Sequence, residues 1–250
     1  MDLNLSGKTA LVIGASQGIG FSIVERLLEE GAAVFACSRS GNNLAEAKRK
    51  LMKNNESAKF EWFICDASSD SARLTISNFL HGRHIDLVFV VAGSGSPSNK
   101  PLGESIHIGL KQNLIPLIGT IEACLEYLEK SPVPSVTFIS SIAGTEFIGA
   151  PLEYALAKSA AHLVIRDLSK KNQKIRFNAV AAGNVNSENS VWRHRLINEP
   201  ELVDLRNVPL YRLGTPEEIS AMAVFIGSPA SSFVTGTVVV VDGGQTNSFL

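Results

Sequence analysis

The chain has 250 residues, 45% of them hydrophobic and 19% charged, and its 23 basic and 24 acidic residues leave a formal net charge of −1. That length and apolarity exclude disorder and support one sizeable core, and the near-zero charge excludes the global basic field of a nucleic-acid or anionic-membrane binder. No apolar run reaches the roughly 18 residues of a membrane span, and Cys37, Cys65 and Cys124 lack the CxxC spacing of a zinc or redox site.

Asp2 and the early arrival of a strand-like run leave no room for the basic and apolar regions of a signal peptide. The expectation is one domain spanning 1–250 in a reducing cytoplasm, with buried thiols and no metal. In chain order, Thr9–Ile13 reads as a strand, Gly20–Glu30 as a helix, Ala33–Cys37 as a strand and Asn42–Lys53 as a helix. Phe60–Cys65, Ser71–His81 and Asp86–Val91 continue the alternation as strand, helix and strand. Ile115–Lys130 (helix), Ser135–Ser140 (strand), Leu152–Lys171 (helix), Arg176–Ala181 (strand), Pro216–Ile226 (helix) and Thr237–Val241 (strand) complete it. The strand runs are apolar on nearly every residue, as strands covered by helices on both faces are. Thr215 followed by Pro216, Glu217 and Glu218 is a strong helix start. Seven strands alternating with helices predict one α/β doubly wound sheet, with ligand at the carboxyl ends of the strands where their order reverses.

The first strand runs into Gly14-Ala15-Ser16-Gln17-Gly18-Ile19-Gly20 and then a helix. Glycines let a backbone approach a pyrophosphate closely, and the helix start offers free N–H groups. Three glycines also serve tight helix–strand packing. The strand–turn–helix context favours dinucleotide binding.

The GxxxGxG spacing resembles that of the short-chain dehydrogenase/reductase family, and the resemblance covers the whole chain. The family's Asn-Ala-Gly stands here as Val91-Ala92-Gly93, and its active-site asparagine, serine and Tyr-xxx-Lys pair match Asn113, Ser141, Tyr154 and Lys158. Its Pro-Gly-x-Val-x-Thr stands as Ala182-Gly183-Asn184-Val185-Asn186-Ser187, and the closing Val241-Asp242-Gly243-Gly244 also matches. The resemblance implies a Rossmann-type sheet of strand order 3-2-1-4-5-6-7. It also implies a nicotinamide dinucleotide held by Gly14, Ser16, Gln17, Gly18, Ile19, Gly20, Asp66, Ala67, Ala92, Gly93, Tyr154, Lys158, Gly183, Val185 and Ser187. Asp66 equally reads as a helix cap.

The end of the second strand bears on cofactor choice. A carboxylate there would bind ribose hydroxyls and repel a 2′-phosphate. The chain instead has Ser38 and Arg39 and no acid at 37–40, which favours NADP(H) over NAD(H); the alternative is that Arg39 decorates a loop.

Tyr154 and Lys158, four apart, share one helix face. An ammonium near a phenol lowers its pKa toward a usable acid/base range. The family implies that Tyr154 protonates a ketone, Ser141 anchors its carbonyl, Lys158 tunes the tyrosine and holds ribose, and Asn113 supports a proton route. The activity expected is reduction of a ketone to a secondary alcohol, or the reverse, on a small keto or hydroxy compound. A 3-oxoacyl thioester is the alternative substrate, and an NADP-sensing regulator the non-catalytic alternative.

The segment at about 187–212 corresponds to the family's substrate lid. It carries Trp192, Arg193 and Arg195, which read either as contacts to an anionic or sugar-like substrate or as a solvated helix face. His81, His84, His107, His162 and His194 show no ligand spacing and read as surface or loop residues. Ile13, Val91 and Ala182 depart from the family pattern. For the first two the expectation is an apolar contact replacing a polar brace between the first and fourth strands. The resemblance also implies a homotetramer or homodimer.

Overall fold

β1 (Thr9–Ile13) pairs on one side with β2 (Ala33–Ser38) and on the other with β4 (Leu87–Val90), both in parallel. Beyond β2 lies β3 (Phe60–Ile64); beyond β4 follow β5 (Ser135–Ser141), β6 (Arg176–Ala182) and β7 (Val238–Val241). The order β3-β2-β1-β4-β5-β6-β7 therefore reverses direction at the β1/β4 boundary. In this computed structural model, residues 1–54, 58–188 and 190–247 are described.

Along β1 the side chains alternate between two cores. Ala10 and Val12 face a cluster filled by α1 (Gly18–Glu29), α2 (Gly41–Asn54) and α8 (Pro216–Gly227). Leu11 and Ile13 face a second cluster filled by α3 (Ala72–Leu80), α5 (Ile115–Leu128) and α6 (Leu152–Lys171). Period-two alternation divided between two apolar layers is what makes the whole strand look hydrophobic. The outer strands differ. Glu61 and Ile64 of β3 are exposed, and all four residues of β7 are half-buried. These strands have a neighbour on one side only, so the expected burial on both faces does not extend to them.

Two helices fall outside the predicted pattern: α4 (Leu102–Asn113) and α7 (Val191–Asn198). α4 runs to Leu114, where α5 takes over. Pro116 has no N–H for the preceding turn and Leu117 bonds back to Leu114, so the path bends there. α7 buries none of its residues, which removes the periodic apolar signal a sequence reading depends on.

The expected contact between Ile13 and Val91 does not form. Val91 follows Val90, the register partner of Ile13, and successive side chains point to opposite faces. Ile13 lies in the α3/α5/α6 core and Val91 against the α1/α2/α8 core. What joins them is backbone alone, Val91 N–H donating to the Ile13 carbonyl at 2.8 Å. Ala182 has a plainer consequence. Where proline would end the strand, β6 carries on through Ala182, in register with Ser141 and Val241.

Candidate active site

A cleft of about 460 Å³ opens at the carboxyl ends of β1, β2 and β4, the crevice that a strand-order reversal creates. Gly14, Ser16, Gln17, Gly18 and Ile19 form one wall, Ser38 and Arg39 the far end, Asp66 and Ala67 the side, and Ala92, Gly93 and Ser187 the near end. Gly20 does not line the cleft. A Cβ there would strike the Gly14 carbonyl oxygen, so this glycine lets α1 close onto the turn.

The far end fits a phosphomonoester on a ribose. Arg39 is exposed, has no hydrogen-bond partner among the described residues, and stands just before the start of α2. The Ser40 hydroxyl caps that start, accepting from Asn43 N–H at 3.2 Å, and Ser40 and Asn43 both line the cleft. A guanidinium beside a helix N-terminus is a ready anion site. Asp66 faces the cleft while its Oδ1 accepts from Ser68 N–H and Oγ at 2.9 and 2.7 Å. These bonds hold its carboxyl below the usual range. The alternative reading of Asp66 as a helix cap does not hold: α3 starts after Ser71, and Asp66 closes a turn with Ser68 while lining the cleft. Gln112, Pro116, Glu188 and Ser190 also line the cleft; they belong to α4, α5 and the segment before α7, which no sequence motif marks. Ser40 and Asn43 were within reach of a sequence reading, being next to Ser38 and Arg39.

Beyond the near end the four expected polar residues converge. Tyr154 and Lys158 come from the first turns of α6, Ser141 from the last residue of β5, Asn113 from the last residue of α4. The Ser141 hydroxyl pulls the Tyr154 phenol downward and accepts from Ala143 N–H at 3.2 Å, which fixes the turn after β5. Lys158 Nζ lies 5.6 Å from the Tyr154 ring centre and donates to the Ile139 carbonyl at 3.1 Å. Asn113 spends its side chain on the backbone: Oδ1 accepts from Ser94 N–H at 2.9 Å, and Nδ2 donates to the carbonyls of Ser94 and Gly109, both at 3.1 Å. Glu153 adds a second hold on the same loop by accepting from Ser98 N–H at 2.7 Å.

The electrostatics differ from the sequence expectation. Burial raises the Tyr154 phenol above its ordinary value, only partly offset by the Ser141 hydrogen bond, and burial lowers Lys158 to about 7. The expected downward pull of an ammonium on the phenol is outweighed because the lysine itself resists charge in so dry a place. Tyr154 is thus a protonated acid.

Other expected residues stand apart. Gly183 and Val185 line a smaller neighbouring cavity of about 110 Å³ with Asp242 and the Arg212–Glu218 ion pair. Trp192, Arg193 and Arg195 line neither cavity. They lie on α7, where the Arg195 guanidinium sits 5.2 Å from the Trp192 ring centre. His162 is a correction. It is half-buried in α6, with Nε2 2.6 Å from the Ser140 hydroxyl, and burial beside Lys158 lowers it to about 4. The signal was available: 154, 158 and 162 make one stripe of a helix.

Comparison with known proteins agrees with this layout. A family profile described as Enoyl-(Acyl carrier protein) reductase matches residues 14–246. A tropinone reductase homolog from Datura stramonium is 32% identical, over 99% of this chain and 95% of its own length. The chain belongs to the short-chain dehydrogenase/reductase family. It is an NAD(P)-dependent oxidoreductase of that family. Solved short-chain relatives superpose over nearly their full lengths. The NADPH-bound short chain oxidoreductase of Pseudomonas aeruginosa PAO1, described as containing an atypical catalytic center, gives a TM-score of 0.89 at 25% identity, covering 97% of this chain and 98% of that one. The RhlG/NADP active-site complex of Pseudomonas aeruginosa gives 0.89 at 28% identity, covering 98% of each.

Proposed function

We propose that this short-chain reductase uses NADPH to reduce a ketone to a secondary alcohol. The observation that carries the reading is the pairing of the Ser141 hydroxyl with the Tyr154 phenol beyond the near end of the cleft, where burial keeps Tyr154 protonated. NADP(H) fits the residues present: Arg39, Ser38 and the start of α2 would hold the 2′-phosphate, and the Gly14–Gly20 turn the pyrophosphate. When bound, NADPH supplies the hydride.

The chain's own residues do the rest. Ser141 donates to the substrate's carbonyl oxygen and stabilises the charge that develops there. Tyr154 gives that oxygen its proton, and a phenol kept neutral by burial is in the right state to do so. Lys158, about half protonated at pH 7, returns a proton to Tyr154 from its ammonium form and is left as a neutral amine, with no stranded buried charge. Asn113 holds Ser94, and so the loop against Tyr154, in place.

α7 and its flanks, 187–212, act as a lid over this end, and Arg193 and Arg195 meet an anionic or sugar-like keto substrate when it closes. The protein works in the cytoplasm as a homotetramer, a reading supported by the exposed Leu156 and Leu163 on α6. A carrier-linked 3-oxoacyl thioester is the second reading, favoured by the description of the matching family profile. A panel of keto compounds that includes a bicyclic amino ketone, a keto sugar phosphate and a 3-oxoacyl thioester decides between them by NADPH oxidation. Tyr154→Phe should abolish turnover of whichever is reduced; wild-type rates in that variant would overturn the assignment.

A further inference from the structure

Ser141 stands in a turn that α6 grips from both sides. On its near side Ser140 meets His162 Nε2 at 2.6 Å. On its far side the 3-10 turn Ile142–Gly144 ends against the same imidazole. Gly144 packs so closely on the ring that a Cβ there would stand 2.7 Å from Cε1. Ser159, one turn earlier in α6, also donates to the Gly144 carbonyl at 2.9 Å. The charged group nearest His162 is Lys158 on its own helix, and burial beside it keeps the imidazole neutral.

We infer that His162 is a positioning residue: its neutral ring bridges Ser140 and Gly144 and thereby sets the Ser141 hydroxyl against Tyr154. With its proton on Nδ1 toward Gly144, Nε2 accepts from Ser140. The bridge spans the backbone from Ser140 to Gly144 with Ser141 inside it, so losing it leaves Ser141 free to rotate away from the phenol. This deepens the proposed function and rests on Ser141 and Tyr154 acting together.

The test needs no substrate. The Tyr154 phenol can be titrated by tyrosinate absorbance, assigned by difference from Tyr154→Phe; the chain has only three tyrosines. Ser141→Ala removes the hydrogen bond that lowers Tyr154 and should raise its midpoint. His162→Leu should raise it in the same direction, Ser140→Ala likewise, and the double variant His162→Leu/Ser140→Ala no further than either alone. His162→Gln, which keeps an acceptor for Ser140, should restore most of the wild-type midpoint. An unchanged midpoint in His162→Leu while Ser141→Ala shifts it overturns the inference and leaves the proposed function standing. No shift in Ser141→Ala removes the hydrogen bond on which both rest. Parallel losses of thermal midpoint in His162→Leu and His162→Gln, with additive shifts in the double variant, mark a packing role and also overturn it.

Discussion

Lys158 points its ammonium away from solvent and toward the carbonyl of Ile139, 3.1 Å away, with only 3% of the residue exposed. Among the described residues no carboxylate pairs with this charge; its contacts include that carbonyl and the rings of Phe138 and Tyr154. The lowering to about 7 reflects the free-energy cost of that placement.

Lys158→Met should therefore stabilise the cofactor-free protein while eliminating turnover. The folded-state pKa lies near 7 and the unfolded value near 10.4. Between those values the unfolded chain binds the proton that the folded chain has released, so stability rises with pH through the window. The penalty is complete below pH 7 and gone above about 10.5. Methionine removes it, for a gain of about 3 kcal/mol at pH 6 after the lost hydrogen bond is counted. For a chain of this size that is several degrees in Tm, shrinking steadily toward pH 10. A gain that does not change with pH, or a lower Tm at pH 6, would contradict this account.

Arg39→Ala should separate the two nicotinamide cofactors. The guanidinium is exposed and has no hydrogen-bond partner among the described residues, so its removal costs the fold little. A charge-assisted phosphate contact contributes about 1.5–3 kcal/mol, so Kd for NADPH should rise at least tenfold and Kd for NADH stay within twofold. Fluorescence titration with both cofactors measures this; equal weakening of the two would mean that Arg39 supports the cleft generally.

Much of this was legible beforehand because it depends on order and spacing. Strand identity follows from runs such as Leu87–Val90, fully buried in a parallel sheet. The Tyr154/Lys158 stripe follows from helical period, and the turn Gly14–Gly20 from its place between strand and helix. What stayed hidden depends on which face a side chain takes or on what surrounds it. Ile13 and Val91 are both at strand ends, yet one register step puts them in different cores. Spacing shows Lys158 as an ammonium beside the phenol, and only its burial sets its charge. α7 carries no apolar stripe because it packs on little, so only its Ser190 cap, which accepts from Arg193 N–H at 3.0 Å, marks its start.

Gly93→Ala should disable the site through Asn113. At φ +155° an added Cβ would stand 2.6 Å from Asn113 Oδ1 and 3.3 Å from Lys158 Nζ. Asn113 cannot yield without dropping Ser94, so the methyl group breaks the tie between α4 and the loop after β4. Backbone strain of this kind costs about 1–3 kcal/mol. Denaturation should show that loss, and NADPH oxidation should fall further than stability alone explains. Normal turnover would show that the Asn113–Ser94 staple is dispensable.

The last prediction concerns 187–212. Its helix buries no residue, Leu210 and Tyr211 are exposed, and Arg206 pairs with Asp204 inside the same loop. Few apolar contacts hold such a segment down, so it should open locally at small cost. It is nevertheless tied at both ends. Ser187 lines the cofactor cleft, and Leu210 N–H donates to the Gly243 carbonyl. A segment tethered at its ends and loose between them can close over a filled cleft and exclude water from the reacting carbon. Amide exchange in this stretch should be the fastest of the chain without ligand, slow partly with NADPH, and slow further when a reducible ketone is added. On closure Arg195 must leave its place over Trp192 to reach an anionic group, so Arg193→Ala and Arg195→Ala should raise KM for an acidic substrate several-fold. Neither should alter Kd for NADPH, because neither side chain lines that cleft. Exchange unmoved by both ligands would eliminate the lid, and an unchanged KM in both variants would return the two arginines to solvent.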